Sequence, residues 1–572
     1  MKLRDLALLA SRDPALDATS TIDATLACSE IARPLVIAGL AERWSNSTLV
    51  VATPTGTAAQ MIHDDLVHYV GADNALLFPA WETLPFERVS PSVESMGKRL
   101  EVLWRLRASD KPRIVVGSVR ALLQKLAPGA TTREPIIVRR GTDVNADHLM
   151  ERLIADGYRR EDLVEHRGEC AQRGSIIDVF PSTTDAPIRI DLWGDEVDRL
   201  TTFNVNDQRS ADDLDEIVIF PAREVELTNG VRERAQSLMS SEPWGVEQWD
   251  RLAEGQQFEG MESWLPWLVE RDELLTDVLG ADTRLVLVEP RRMHARAVDL
   301  LAEEADLARA LASTWAREEN REFPRLHVEP ERLLDTTSSS RSLSLVLPAE
   351  APTAAQVSAT GWGPATADAE ATAARVRGLV GDGWTVALCA ESAGSARRFV
   401  EVFNENGVAV VDLARVPNAD MTKPGVYVVE SALHAGCSLP GARVSVISES
   451  DLTGRRRTHR VARAPKRDSS SVFQDLKPGD FVVHHIHGVG KYEGMVTRAI
   501  GGSSATISCC PTRTATSSTF PPTTSTRCAS TSVARRRRCI ASAGATSPAP
   551  SNACAPRSAR SPKSSSCCIR SA

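Results

Sequence analysis

Short β-branched runs alternate with helix-length amphipathic stretches through the first part of this 572-residue chain. "STLVVATP" (47–54) has the continuous apolar character of a strand buried on both faces. "GTAAQMIHDDLVHYV" (56–70) follows at helical spacing, and "RIVVGSVRALLQKL" (113–126) repeats the order. Ser90-Pro91 reads as a helix start, with Met96, Leu100 and Leu103 on one face of the helix that follows. "RPLVIAG" (33–39) reads as one more buried strand. Such alternation predicts an α/β, doubly wound sheet with helices on both faces.

From about Glu134 to Phe220 the rhythm changes. "PIIVRRG", "GSIIDVFPS", "PIRIDLWGDEVDRLTTF" and "DEIVIFPA" are strands at short spacing, which predicts a β-rich insertion over 134–222. Trp-rich helical text and a further strand and helix occupy 223–335. The Ser/Thr/Ala/Pro content of 336–372 reads as a linker. A small α/β domain spans 373–454, with strands "WTVALCA", "GVYVVES" and "RVSVISES". A basic linker covers 455–470, and a partial small barrel spans 471–502, in which "KPGDFVVHHIHGVGKYEGM" (477–495) reads as turn, strand, glycine turn, strand.

The net charge of −8 averages two unlike parts. From Ser503 to Ala572 there is no Asp or Glu but ten Lys or Arg, so the body carries −18 and the tail +10. An acidic body argues against non-specific DNA binding as the main activity. Cys28, Cys170, Cys389 and Cys437 are scattered in the body, the other seven cysteines lie in the tail, and no CxxC occurs; zinc has no ligand set here. No apolar run reaches the length of a membrane span, and the N-terminus does not read as a signal peptide, so a cytoplasmic location is expected.

Nucleotide binding requires GxxxxGK[ST], whose backbone N–H groups wrap phosphate while Lys and Ser/Thr meet phosphate and magnesium. "TPTGTAAQ" (53–60) has the glycine without the lysine. In "GVGKYEG" the lysine precedes Tyr492 and lies between strands. No catalytic residue, nucleotide site or metal site is assigned. His485 and His487 share a strand face without a carboxylate or thiol to complete a site, and Glu449 and Asp451 read as loop caps at a strand end. A binding surface remains: period two places Arg189, Asp191 and Trp193 on one strand face, with Arg173 nearby. Arg and Trp are preferred interface anchors. The alternative is a Trp193 packed in the insertion's own core and an Arg189 paired to Asp191 or Asp195.

"GECAQRGSIIDVFPS" with "IRIDLWGDEVDRLTTFNVNDQRS" resembles the domain shared by UvrB and the bacterial transcription-repair-coupling factor. "LFPAWETLPFERVSPS" (77–92), "ESDLTGRR" (449–456) and "PGDFVVHHIHGVGKYEGM" (478–495) resemble the coupling factor specifically. The resemblance implies two degenerate helicase-like (RecA-like) lobes, 1–133 and 223–335, flanking a UvrA-binding insertion, with a Tudor-like barrel that binds the RNA polymerase β subunit. It implies a part in transcription-coupled repair: the family recognises polymerase stalled at a lesion, releases it with an ATP- and magnesium-dependent translocase acting on double-stranded DNA, and recruits UvrA. Matched residue by residue, the UvrA contacts fall on Arg173, Arg189 and, with Trp in place of Phe, Trp193. Without a P-loop or the motor that follows the barrel, this chain is expected to bind UvrA, to need no cofactor and not to hydrolyse ATP. The competing reading is a UvrB-like ATPase or helicase subunit.

The acid-free text after Gly502 replaces the strands such a barrel needs. If "ATISCC" (505–510) is encoded GCG-ACT-ATC-TCG-TGC-TGC, the frame beginning at the third base gives Asp-Tyr-Leu-Val-Leu, which is strand text. Residues 503–572 are therefore expected to be out of frame and disordered, the barrel incomplete and polymerase binding impaired.

Overall fold

The computed structural model describes residues 3–454 except 21–23, 85–86, 281, 313–322, 338–340 and 363–368. Beyond these it describes the strand segments 481–484, 488–491, 494–500, 503–511 and 566–570.

A seven-stranded sheet organises the larger unit, Met1–Thr458. Its order is Ala355–Gln356, Ala24–Ala27, Arg341–Val346, Thr283–Val288, Thr48–Thr53, Ile114–Ser118, Ala75–Phe78. Every pairing is parallel. Alternate residues of each central strand enter different cores, as a sheet covered on both faces requires. Leu49, Val51, Ile114 and Val116 join one cluster, whereas Val50, Ala52 and Val115 join the other. The second cluster holds the tryptophan-rich segment: Trp249 and Trp264 meet edge to face at 4.9 Å, and Trp249 and Trp267 lie 6.0 Å apart.

Three expectations change here. "RPLVIAG" is not a strand but part of the helix Arg33–Arg43, with Pro34 in the first turn and every residue from Arg33 to Ala41 buried. A helix buried all round has no polar stripe, so its sequence resembles that of a buried strand. The expected lobes 1–133 and 223–335 are not separate, because Thr283–Val288 pairs with Thr48–Thr53 in one sheet. Nor is 336–372 simply a linker: Arg341–Val346 lies between Thr283–Val288 and Ala24–Ala27. Its Ser/Leu alternation, "SLSLV", is strand text inside a Ser-rich frame.

A buried ion pair ties this layer to the point where the chain returns from the insertion. The Arg99 side chain, on the helix Val93–Arg107, donates through Nε and Nη2 to Glu224 at 2.7 and 3.2 Å. Both side chains are fully buried. Trp81 Nε1 donates to the same carboxylate at 2.8 Å, and the Arg99 guanidinium lies 4.3 Å from the Phe78 ring centre. Glu224 is thus fully partnered, which is what permits its burial.

The insertion holds a six-stranded sheet in the order Ser210–Asp213, Glu196–Phe203, Ile188–Trp193, Ile176–Val179, Glu169–Arg173, Arg159–Arg160. All pairings are antiparallel except the last. Ile177, Val179, Ile188, Ile190, Leu192, Val197 and Leu200 fill the core on one face, with the helix Ala146–Ala155 supplying Leu149, Met150 and Leu153.

The five-stranded sheet of 373–454 is parallel apart from its edge strand Cys437–Leu439. Tyr427, Val444 and Val446 share a core with Leu3, Leu6 and Leu35. Asp65 Oδ1 accepts from His434 N at 2.9 Å across the same contact. Asp451 caps its own helix, Glu449–Thr453, accepting from Ser448 N at 2.9 Å and from Gly436 N at 2.8 Å.

The smaller unit, His459–Ala572, holds the hairpin Phe481–His484 with Gly488–Lys491 and a sheet of Gly494–Ile500, Ser503–Pro511 and Ser566–Arg570. The disorder expected for 503–572 therefore does not extend to 503–511 or 566–570. Thr506 and Ile507 have high strand propensity, and the absence of acids does not oppose backbone pairing. The rest of that tail, the basic linker, His485 and His487 lie outside the described residues.

Candidate partner-binding surface

The side of the six-stranded sheet away from its core carries the three residues singled out above. Two tight hairpin loops fix where they sit. Arg173 pairs with Ile176 around Gly174-Ser175, and Trp193 pairs with Glu196 around Gly194-Asp195. Gly174 and Gly194 have φ of +63° and +65°, the positive value that two-residue hairpin loops demand. A Cβ at either would meet nothing within 4 Å, so the backbone conformation alone calls for glycine. In a meander, alternate turns lie at the same end, so Arg173 and Trp193 are brought to one end of one sheet.

Register then sets the rows. Ala171, Asp178, Arg189 and Thr201 lie opposite one another across four strands, and Arg173, Ile176, Asp191 and Arg199 form the adjacent row. Arg189 donates through Nε and Nη2 to the two oxygens of Asp178 at 2.7 and 2.9 Å, and through Nη1 to the Gln208 carbonyl at 3.0 Å. Its guanidinium lies 4.7 Å from the Phe203 ring centre. Arg173 reaches diagonally across the hairpin and donates through Nη2 to the same Asp178 carboxylate. The hydrogen bond to Asp178 holds Arg189 more firmly protonated, while burial lifts the Asp191 carboxyl above the ordinary range. Phe203 belongs to a small cluster with Val164, Ala171 and Phe180 that covers part of this face.

Trp193 lies beyond that cover and is 82% exposed. The reading that packed it into the insertion's core is corrected, because Ile188, Ile190 and Leu192 take the inward positions of the strand. The pairing of Arg189 to Asp191 or Asp195 is corrected too. Its partner is Asp178, directly opposite in register. Sequence reasoning missed Asp178, Phe203 and Gln208 as supports for the arginines. Only the pairing of Ile176–Val179 with Ile188–Trp193 reveals Asp178, and only the folded domain brings Phe203 and Gln208 to Arg189. An exposed indole on the same sheet face as two guanidinium groups can bury apolar area against a partner while they donate to its carboxylates or carbonyls.

At the C-terminal edge of the parallel sheet, the helix Gly56–Val70 begins after Thr48–Thr53, the position where doubly wound folds bind phosphate. Thr55 Oγ1 already accepts from Ala58 N at 3.2 Å in that first turn. A cavity of about 440 Å³ beside it is lined by Gln60, Trp81, Ser118 and Arg120 among others, without a lysine.

Residues 136–225 match the UvrB interaction domain, and residues 476–507 match the CarD-like/TRCF RID domain. The inserted sheet therefore places the chain among proteins built around a UvrB-type interaction module. The chain is 34% identical over 517 residues to the transcription-repair-coupling factor of Mycobacterium tuberculosis, covering 84% of this chain and 41% of the relative. For the coupling factors of Escherichia coli and Bacillus subtilis the identities are 28% over 498 residues and 27% over 503 residues, covering 82% of this chain in each case and 41% and 42% of the relatives. The chain belongs to the transcription-repair-coupling factor family, and it spans about two fifths of the length of these relatives.

Proposed function

We propose that this chain acts in transcription-coupled DNA repair as a scaffold that binds UvrA through Arg173, Arg189 and Trp193. The observation that carries this reading is the 82% exposure of Trp193 on the sheet face where Asp178 holds both arginines. Burying a lone indole that is otherwise in water contributes apolar area, and the arginines supply directional donors beside it. The match of residues 136–225 to the UvrB interaction domain supports the same partner. Measuring UvrA affinity with Arg189 or Trp193 replaced tests it, and an unchanged affinity contradicts it.

The match of residues 476–507 to the TRCF RID domain supports the RNA polymerase β subunit as a second partner, at the barrel start rather than at the inserted sheet. In this reading polymerase contact is weakened if the text after Gly502 is out of frame. Helicase-like ancestry of the seven-stranded sheet and a Tudor-like barrel from 471 onward belong to the same reading, as do the cytoplasm as compartment and double-stranded DNA, ATP and magnesium as requirements of the full-length family. For this chain, the missing lysine in "TPTGTAAQ" and the Thr55 cap favour a scaffold that hydrolyses no nucleotide. ATP turnover by the purified chain would instead support a UvrB-like ATPase.

A further inference from the structure

Asp178 exposes only 1% of its side chain, yet it lies on the sheet face turned away from the domain's core. Its cross-strand neighbours are Ala171 on one side and Arg189 on the other. A carboxylate is costly to bury unless it is paired, and a β-branched residue would suit a strand position as well or better. What the acid does here is join two cations. Arg189 grips both of its oxygens, and Arg173 donates to one of them. Without a carboxylate between them, two guanidinium groups this close would repel and splay apart.

The two arginines are held unequally. Arg189 has three hydrogen bonds to Asp178 and the Gln208 carbonyl, rests on Phe203, and keeps 14% of its side chain exposed. Arg173 exposes 45% and is bonded to Asp178 through a single Nη2. Removing the carboxylate leaves Arg189 with Gln208 and Phe203, but takes from Arg173 its hydrogen bond to the sheet.

We propose that Asp178 is a positioning residue that presents Arg173 to UvrA, using Arg189 as the fixed side of the clamp. This rests on the reading of the Arg173, Arg189 and Trp193 face as the UvrA-binding surface. Asp178 itself touches no partner. It lowers the cost of ordering a long side chain at the moment of binding.

The test is a set of double-mutant cycles on the full chain, titrating purified UvrA against Asp178→Asn, Arg173→Ala, Arg189→Ala and the two double variants that include Asp178→Asn, with a thermal melt of each. Asp178→Asn keeps the shape and loses the charge. It is expected to weaken binding about tenfold, with strong coupling to Arg173, so that adding Arg173→Ala costs less than about twofold more, while adding Arg189→Ala still weakens binding. Wild-type affinity for Asp178→Asn alongside a weakened Arg173→Ala would overturn the proposal. So would strictly additive losses, which indicate a role in folding alone. If Asp178→Asn melts, Arg173→Lys takes its place: it keeps the charge but not the fork that Asp178 orients. Binding as weak as Arg173→Ala supports positioning, and wild-type binding overturns it. If Trp193→Ala, Arg173→Ala and Arg189→Ala all bind like the wild type, the surface reading itself falls and the positioning role with it. Failure of positioning alone is distinct, because those three variants then remain impaired.

Discussion

Leu192 and Trp193 are consecutive residues of one strand with opposite fates: Leu192 is 6% exposed in the core of the inserted sheet, and Trp193 is 82% exposed. Alternation along a strand turns one step in sequence into the difference between packing and presentation. It also makes the two residues separable by experiment. Leu192→Ala should destabilise the chain by about 2–5 kcal/mol through lost burial and a residual cavity. Trp193→Ala should leave the melt nearly unchanged. Calorimetric or circular-dichroism melts of both variants check this, and a large loss for Trp193→Ala would contradict the exposed placement.

The Arg99–Glu224 pair ties the helix Val93–Arg107 to the chain just after the inserted sheet. Arg99→Met should cost about 3–5 kcal/mol, because it leaves a fully buried carboxylate with Trp81 Nε1 as its remaining side-chain donor. Glu224→Gln should cost less, since its amide oxygen still accepts from Trp81 and Arg99, and the buried Arg99 guanidinium, although it loses its counter-charge, keeps its hydrogen bond to the Pro79 carbonyl at 3.1 Å. Urea titrations of the two variants test the order, and an equal or larger loss for Glu224→Gln would contradict it.

Acid should unfold the larger unit partly through Glu289. Burial alone would raise this carboxyl, but hydrogen bonds from Arg33 and Arg292 outweigh it and hold the carboxyl below the ordinary range. A folded value below the unfolded one, about 4.3, means the stabilisation is complete above that pH. It is lost as pH falls towards the lowered folded value. Stability measured from pH 7 to pH 3 should fall less steeply for Glu289→Gln over that acidic window. An unchanged slope would remove Glu289 from the account.

The change of composition at Gly502 is a prediction about nucleic acid. Sequencing the gene across codon 503 should show that the frame starting at the third base of codon 505 encodes Asp-Tyr-Leu-Val-Leu. Codons that do not give this peptide refute the shifted frame.

Much of the architecture could be read from residues alone, for physical reasons. The helix Gly56–Val70 and the strands Thr48–Thr53 and Ile114–Ser118 declare themselves because periodicity and strand propensity agree. Arg33–Arg43 did not, because burial on every side erases the periodic signal. Arg341–Val346 was hidden by its serines. At the candidate site, period two placed Arg189 and Trp193 on one face, and the structure keeps them there. Asp178 could not be found that way, since its relation to Arg189 is a matter of register between strands, set by hairpin geometry rather than by spacing along the chain.

Titration of purified UvrA with the full chain, wild type against Trp193→Ala and Arg189→Ala, tests the central claim most directly. The account predicts a measurable complex for the wild type and a loss of about 1–2 kcal/mol or more for each variant, with the Trp193→Ala melt unmoved. A wild-type chain that does not bind UvrA, or variants that bind it equally well, would contradict it.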